Sequence, residues 1–184
     1  GGIDRRYNLV QQLLQGEKLS VDSGDLLYKS APVAPFLEPQ WTYQASALID
    51  AYNKLGVEVF TPGELDFAAG FETFRKLIKK SKFKTIAANL YLEKNKQLAF
   101  EPYIILEKSK RKVAIFGLYG DEIGVPEELT IRDSVATARE MVKLLKGKAD
   151  IVIALTHQGL EKDEALAKAV SGIDAIFGAH SQSF

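Results

Sequence analysis

The stretch Ile151–His157, reading IVIALTH, narrows the folds open to this chain more than any other segment. Its first five residues are all apolar, three of them β-branched. No polar residue interrupts them at alternate positions, which suits a strand covered on both faces. IDAIFGAH (Ile173–His180) is a second such run, and RKVAIFGLYG (Arg111–Gly120) contains a third. Between them the periodicity changes. IRDSVATAREMVKLLKG carries Ile131, Val135, Ala138, Met141, Val142 and Leu145 as one helical stripe, and EKDEALAKAVSG reads as a short helix. Upstream, WTYQASALIDAYNKLG is a helix closed by Gly56, followed by the strand VEVF, the helix FAAGFETFRKLIKK and the strand TIAANL. AFEPYIILEK pairs with RKVAIFGLYG as a hairpin turning at Lys108–Arg111. KLSVDSGD is a short strand, APVAPFLEP a proline-rich loop, and RRYNLVQQLLQG an opening helix with stripe Tyr7, Leu9, Val10, Leu13 and Leu14. Buried strands alternating with amphipathic helices predict an α/β layered domain with a parallel or mixed sheet.

The totals exclude several classes. A chain of 184 residues makes one domain with a real core. Its formal net charge is zero, so there is no basic excess of the kind that holds nucleic acid. The one basic cluster, Lys79–Lys84, reads as a solvated helix end. No apolar run reaches the roughly 18 residues of a membrane span. Cysteine is absent, which removes disulfides and thiolate metal sites and leaves the redox compartment open.

In open α/β sheets ligands bind at the carboxyl ends of strands. Here those ends are chemically distinctive. SVDSGD delivers Asp25, VEVFTPGE delivers Glu64, IVIALTH delivers His157, and DAIFGAHSQ delivers His180 and Gln182. The chain has two histidines, and both sit at such an exit. Two carboxylates, two imidazoles and an amide form an oxygen and nitrogen ligand set. It suits divalent Mn, Zn, Fe or Mg, one ion or two. Two ions about 3.5–4 Å apart would polarise a phosphoryl group and generate a hydroxide nucleophile. Asp25 is the natural bridge between them.

VDSGDLL, GELDFAAG, IAANL, IVIALTHQGL and GIDAIFGAHSQ, in that order, resemble motifs of the calcineurin-like metallophosphoesterases, in their 5′-nucleotidase and 2′,3′-cyclic phosphodiesterase branch. The opening GGIDRRYNLVQQL is similar to the segment after that family's first metal motif. The resemblance implies a four-layer α/β/β/α sandwich with mixed sheets and metals at the strand ends. It makes Asp25 the bridging aspartate of the second motif and His157 the histidine of the fourth. His180 and Gln182 match the first and last ligands of the fifth motif. The family's first motif, Asp-x-His, does not occur, and the fifth motif lies at the carboxyl end. Residues 1–184 therefore read as a single domain truncated at both ends, without the first metal motif or the last strands.

The third motif differs in kind. The family pattern Gly-Asn-His-Glu-Phe-Asp reads Gly63-Glu64-Leu65-Asp66-Phe67-Ala68 here. Glu64 offers a carboxylate where the family has a metal-binding amide. Leu65 replaces the histidine that stabilises the leaving group, and Ala68 the aspartate that orients it. Leucine neither moves a proton nor donates a hydrogen bond. Asp66 is the candidate acid in its place, against the plainer reading of a solvated or capping residue before the next helix. Asn89 is a candidate substrate contact, against a role in satisfying backbone at a strand end. Arg5 and Arg6 read as surface cations, and Trp41 and Tyr43 as anchors of a helix stripe. The resemblance implies a metal-dependent phosphoester hydrolase of the 5′-nucleotidase type, a metal-bound hydroxide attacking phosphorus. The expected substrate is a small phosphorylated molecule such as a nucleotide, in a periplasmic or extracytoplasmic setting. Leu65 and Ala68 favour an alternative: a degenerate, non-catalytic member serving as a binding or interaction module. A third reading has Glu64 redirecting the site to another ester.

Overall fold

The computed structural model describes residues 5, 7–9, 12 and 16–181. Residues 5, 7–9 and 12 are helical, as the opening pattern predicts. Two sheets follow. The first is parallel, in order β1 (Val21–Asp22), β2 (Val59–Phe60), β3 (Lys84–Thr85), with Val21 opposite Val59 and Val59 opposite Lys84. The second is mixed, in order β5 (Tyr103–Lys108), β6 (Arg111–Tyr119), β8 (Ile151–His157), β9 (Ala175–Ala179). The β5–β6 pair is the antiparallel hairpin, while β6–β8 and β8–β9 run parallel. A small antiparallel pair joins β4 (Leu90–Leu92) to β7 (Leu129–Ile131).

The layering follows from which face each strand residue uses. Along β6, Val113 and Ile115 pack toward the first sheet with Val59, Ile86, Ile153 and Leu155. Ala114, Phe116 and Leu118 point the other way, against Ala138 and Leu145 of α3 (Ser134–Leu145) and Leu166 of α4 (Leu160–Ala169). This explains the unbroken apolar run in β8: both faces are covered, Ile153 and Leu155 on one side, Val152 and Ala154 on the other. The outer face of the first sheet is covered by α1 (Glu38–Leu55) and α2 (Phe71–Ile78), through Ala45, Ile49, Tyr52, Phe60, Phe74 and Phe83. The result is helix, sheet, sheet, helix: the expected four-layer α/β/β/α sandwich, with the second sheet mixed as expected and the first parallel among the described residues. Each large apolar side chain removed from water adds about 1.5–3 kcal/mol. No helix among the described residues is long and apolar enough to cross a membrane.

Several boundaries differ from the sequence reading. The helix expected from Phe67 begins at Phe71, because Gly70 takes φ +87° and ends a 3₁₀ turn over Glu64–Phe67. The helix expected from Ile131 begins at Ser134, where the Asp133 carboxylate accepts the Ala136 N–H at 2.6 Å. Ile131 belongs instead to β7, a strand too short to show a period. TIAANL splits between β3 and β4. The helix read from Trp41 starts at Glu38, with Pro39 in its first turn.

Candidate metal centre

Both sheets present carboxyl ends to the same place. The chain leaves β1 at Asp22 and turns through Ser23 and Gly24 into Asp25, which sits at φ +58°. It leaves β2 at Phe60 and reaches Glu64 through Gly63. These loops cross glycine on glycine. A β-carbon at Gly24 would strike backbone atoms of Thr61, Pro62 and Gly63. One at Gly63 would fall 2.5 Å from His157 Cε1 and 2.7 Å from its Nε2. The missing side chain at Gly63 therefore leaves the space among the ligands free.

From the second sheet come the imidazoles. His157 is the last residue of β8 and is fully buried; His180 follows β9 with φ +89°. Ligand atoms of Glu64, His157 and His180 all lie within 4.8 Å of one another. Glu64 reaches both: Oε2 is 2.7 Å from His157 Nε2, and Oε1 is 3.0 Å from His180 Nδ1. Asp25 Oδ2 stands 3.5 Å from His157 Nε2, while Oδ1 accepts the Leu65 N–H at 2.9 Å. His157 Nδ1 donates to the Ser23 carbonyl at 2.5 Å. That bond orients the ring and turns Nε2 toward the carboxylates. There Nε2 carries a proton in the metal-free protein and becomes a ligand once a cation displaces that proton, the usual arrangement of a metal-binding histidine.

The electrostatics agree. Burial alone would lower the His157 pKa, but the hydrogen bonds to Asp25 and Ser23 and the two carboxylates raise it to about 9. Burial would raise Asp25, yet the His157 and Leu65 hydrogen bonds hold it below the ordinary carboxylate range. Two carboxylates converge on one buried imidazole, a set that draws positive charge. Donors of this kind and number, with a glycine keeping the space open, fit a divalent cation with oxygen and nitrogen ligands.

The predicted residues divide into two groups. Asp25, Glu64, His157 and His180 come together; Gln182 lies outside the described residues. Asp66 does not behave as the expected acid, nor is it solvated. It is fully buried and its two oxygens accept N–H bonds from Asp25, Leu26, Leu27 and Gly63 at 2.8–2.9 Å. Burial pushes its pKa up to about 7, against those four bonds. Its role is to clamp the Asp25 loop to the Glu64 loop. The capping reading survives in one respect: the Gly63 N–H it accepts lies at the start of the 3₁₀ turn. Asn89 is likewise buried and committed. It donates to the Tyr119 and Arg132 carbonyls and accepts the Tyr119 N–H, joining β6 to the segment before α3. It touches no ligand in the cluster, so the plainer backbone reading holds. Trp41 packs against the first core, Tyr43 and Arg5 are exposed, and Arg6 lies outside the described residues.

Sequence reasoning missed three contributors. Ser23 acts through its carbonyl, which no side-chain pattern reveals. Gly63 acts by what it lacks; it heads the third motif in the sequence, but nothing there gives it this role. Asp163 of α4 fastens both neighbours of His157: its Oδ1 accepts from Thr156 Oγ1 at 2.7 Å and from Gln158 Nε2 at 2.8 Å.

The calcineurin-like phosphoesterase family matches residues 1–184. The chain belongs to that family. The 2′,3′-cyclic-nucleotide 2′-phosphodiesterase/3′-nucleotidase of Haemophilus influenzae is 30% identical over 209 residues, covering 98% of this chain and 32% of the relative. Human 5′-nucleotidase is 28% identical over 204 residues, covering all of this chain and 33% of the relative. Among solved structures, the calcineurin-like phosphoesterase YfkN of Bacillus subtilis superposes with a TM-score of 0.82 at 25% identity, covering 99% of this chain and 64% of that one. The chain thus spans about a third of the length of these two curated relatives. For a calcineurin-like phosphoesterase the layered fold and the strand-end cluster are the expected parts.

Proposed function

We propose that this chain is the metal-holding domain of a divalent-metal-dependent phosphoester hydrolase of the 5′-nucleotidase type, acting on a small phosphorylated substrate such as a nucleotide. The observation that carries the reading is the cluster of Glu64, His157 and His180 with Asp25 beside it, and His157 Nε2 aimed inward by the Ser23 carbonyl. Membership of the family and the names of its relatives support it. Asp25, Glu64, His157 and His180 would hold the ion, and Gln182 is proposed as a further ligand. A divalent ion there supplies polarisation of a phosphoryl oxygen and acidification of a water molecule. The protein's own work is to set the ligands. Glu64 spans the two imidazoles, Asp66 holds the two acidic loops in register, and His157 is kept from turning by Ser23. An extracytoplasmic setting is proposed by analogy with the branch.

Leu65 and Ala68 favour a second reading, a non-catalytic member that retains a metal. Elemental analysis of the complete protein, equilibrated with Mn and Zn and then desalted, tests both, together with hydrolysis of an aryl phosphate. Bound metal that is lost on His157→Ala, with turnover of the ester, supports the hydrolase. Bound metal without turnover of any phosphoester supports the second reading. No bound metal sinks the first.

A further inference from the structure

A cleft of about 350 Å³ opens beside the centre, between residues 25–29 and α1. Leu26, Trp41, Leu48 and Leu65 form the apolar part of its wall, and Asp25, Tyr28, Lys29 and Gln44 the polar part. It is continuous with the centre: Asp25 lines both, and Leu65 lines the cleft while its N–H holds Asp25 Oδ1. An apolar cavity of roughly 150 Å³ suffices for benzene, so this volume takes an aromatic ring with substituents.

We propose that this cleft receives the organic group of the phosphoester, and that the group is an aryl one. The inference rests on the metal-dependent hydrolase reading above and narrows its substrate: a nucleotide releases an aliphatic sugar hydroxyl, and the cleft with Leu65 points to an aryl phosphate in its place. Its chemical ground is Leu65, the side chain on the border between centre and cleft. In hydrolysis the ester P–O bond breaks as a water oxygen forms a new P–O bond. The bonding pair leaves with the organic oxygen, which must be neutralised by a proton. Leu65 offers none. An aliphatic alcohol, with acidity near that of water and so a pKa of roughly 15.7, leaves poorly without a donor. A phenol ionises near pKa 10, departs as the oxide and takes its proton from solvent. Lys29, on the exposed side of the cleft, supplies a positive charge to a lining that also holds the Asp25 carboxylate, and Trp41 offers a ring against which the leaving ring packs.

Trp41, the sole tryptophan of the chain, makes the cleft observable. The Mn-loaded protein is titrated with phenylphosphonate, methylphosphonate and inorganic phosphate while fluorescence is read. Subtracting the signal of Trp41→Phe isolates the response of Trp41. The expected result is a saturable change with phenylphosphonate at about tenfold or more lower concentration than with methylphosphonate, the least that removing a ring from water supplies. Lys29→Ala should leave phenylphosphonate binding measurable and reduce kcat on phenyl phosphate. Equal midpoints for the two phosphonates, or saturation without a Trp41 response, overturn the proposal. Turnover of phenyl and alkyl phosphates separates the two readings. Hydrolysis of both with equal kcat/KM and a silent Trp41 leaves a hydrolase without this subsite. A Trp41 response with every phosphoester inert keeps the aryl subsite and removes the hydrolase.

Discussion

The two sheets hold their shares of the metal centre in different ways. His157 and His180 leave long strands, β8 and β9, whose ladders with each other and with β6 run unbroken to the site. Asp25 and Glu64 leave strands of two residues each, β1 and β2. A two-residue strand cannot fix the loop that follows it, so the acidic half needs another device. That device is Asp66, with four backbone N–H groups from two loops on one buried carboxylate. The histidine half is held by sheet pairing, the carboxylate half largely by side-chain bonds, with Asp66 accepting four of them and Asp25 accepting the Leu65 N–H. Side-chain clamps concentrate risk in a way that ladders do not, because a ladder bond lost leaves its neighbours in place.

The sharpest test of that contrast is Asp66→Ala. Removing the carboxylate leaves buried N–H groups without acceptors, and the expected loss is roughly 3–5 kcal/mol in urea unfolding, with metal binding lost alongside. If Asp66→Ala unfolds at the same urea concentration as the parent, the clamp is no clamp. Gly63→Ala comes next. It should leave the fold largely intact by circular dichroism, yet lower Mn affinity by about 10²-fold, because the new methyl meets His157 and Asp25 inside the ligand space. An unchanged Mn dissociation constant would place the ion elsewhere.

A subtler effect belongs to the histidine half. Asp163→Asn keeps the Oδ1 acceptor that anchors the residues on both sides of His157 but exchanges a charged acceptor for a weaker neutral one, and should weaken Mn binding by up to about tenfold. The metal-free protein should barely change in Tm, and a Tm loss without loss of affinity would make Asp163 merely structural. The smallest expected effect is on pH. The His157 pKa in the folded, metal-free protein is about 9, above its ordinary 6.5. A raised histidine stabilises fully below pH 6.5, and that contribution fades as pH rises toward 9. Metal-free protein should therefore lose stability across that window, and His157→Gln should flatten the loss. A parent and variant with parallel curves would show that His157 is not protonated there.

The comparison also shows how far the sequence could be read. The strands of the second sheet were legible because their apolar runs are long, and both histidines could be placed at strand exits. The first sheet was legible only in outline. A strand of two or three residues has no period to read. TIAANL, which spans the end of β3 and the start of β4, therefore reads as one strand, and Ile131, at the end of the β4–β7 pair, reads as the start of a helix. Asp66 was misjudged for a related reason: its partners Asp25 to Leu27 lie about forty residues away in the chain, and nothing local announces them. Asn89 was offered to a substrate for the same cause, its amide being spent on Tyr119 and Arg132, 30 and 43 residues on.

Apolar runs and helix stripes determined the α/β class, because burial on one face or two leaves its mark on consecutive residues; the four-layer order came from the family resemblance of the motifs. The same sequence fixed which residue types stand at the strand exits. Tertiary structure decided the rest: that four of them converge, that a glycine leaves the space among them open, and that Asp66 supports the site instead of working in it. Those depend on contacts between distant segments, and a one-dimensional pattern carries no record of which distant backbone a side chain will meet.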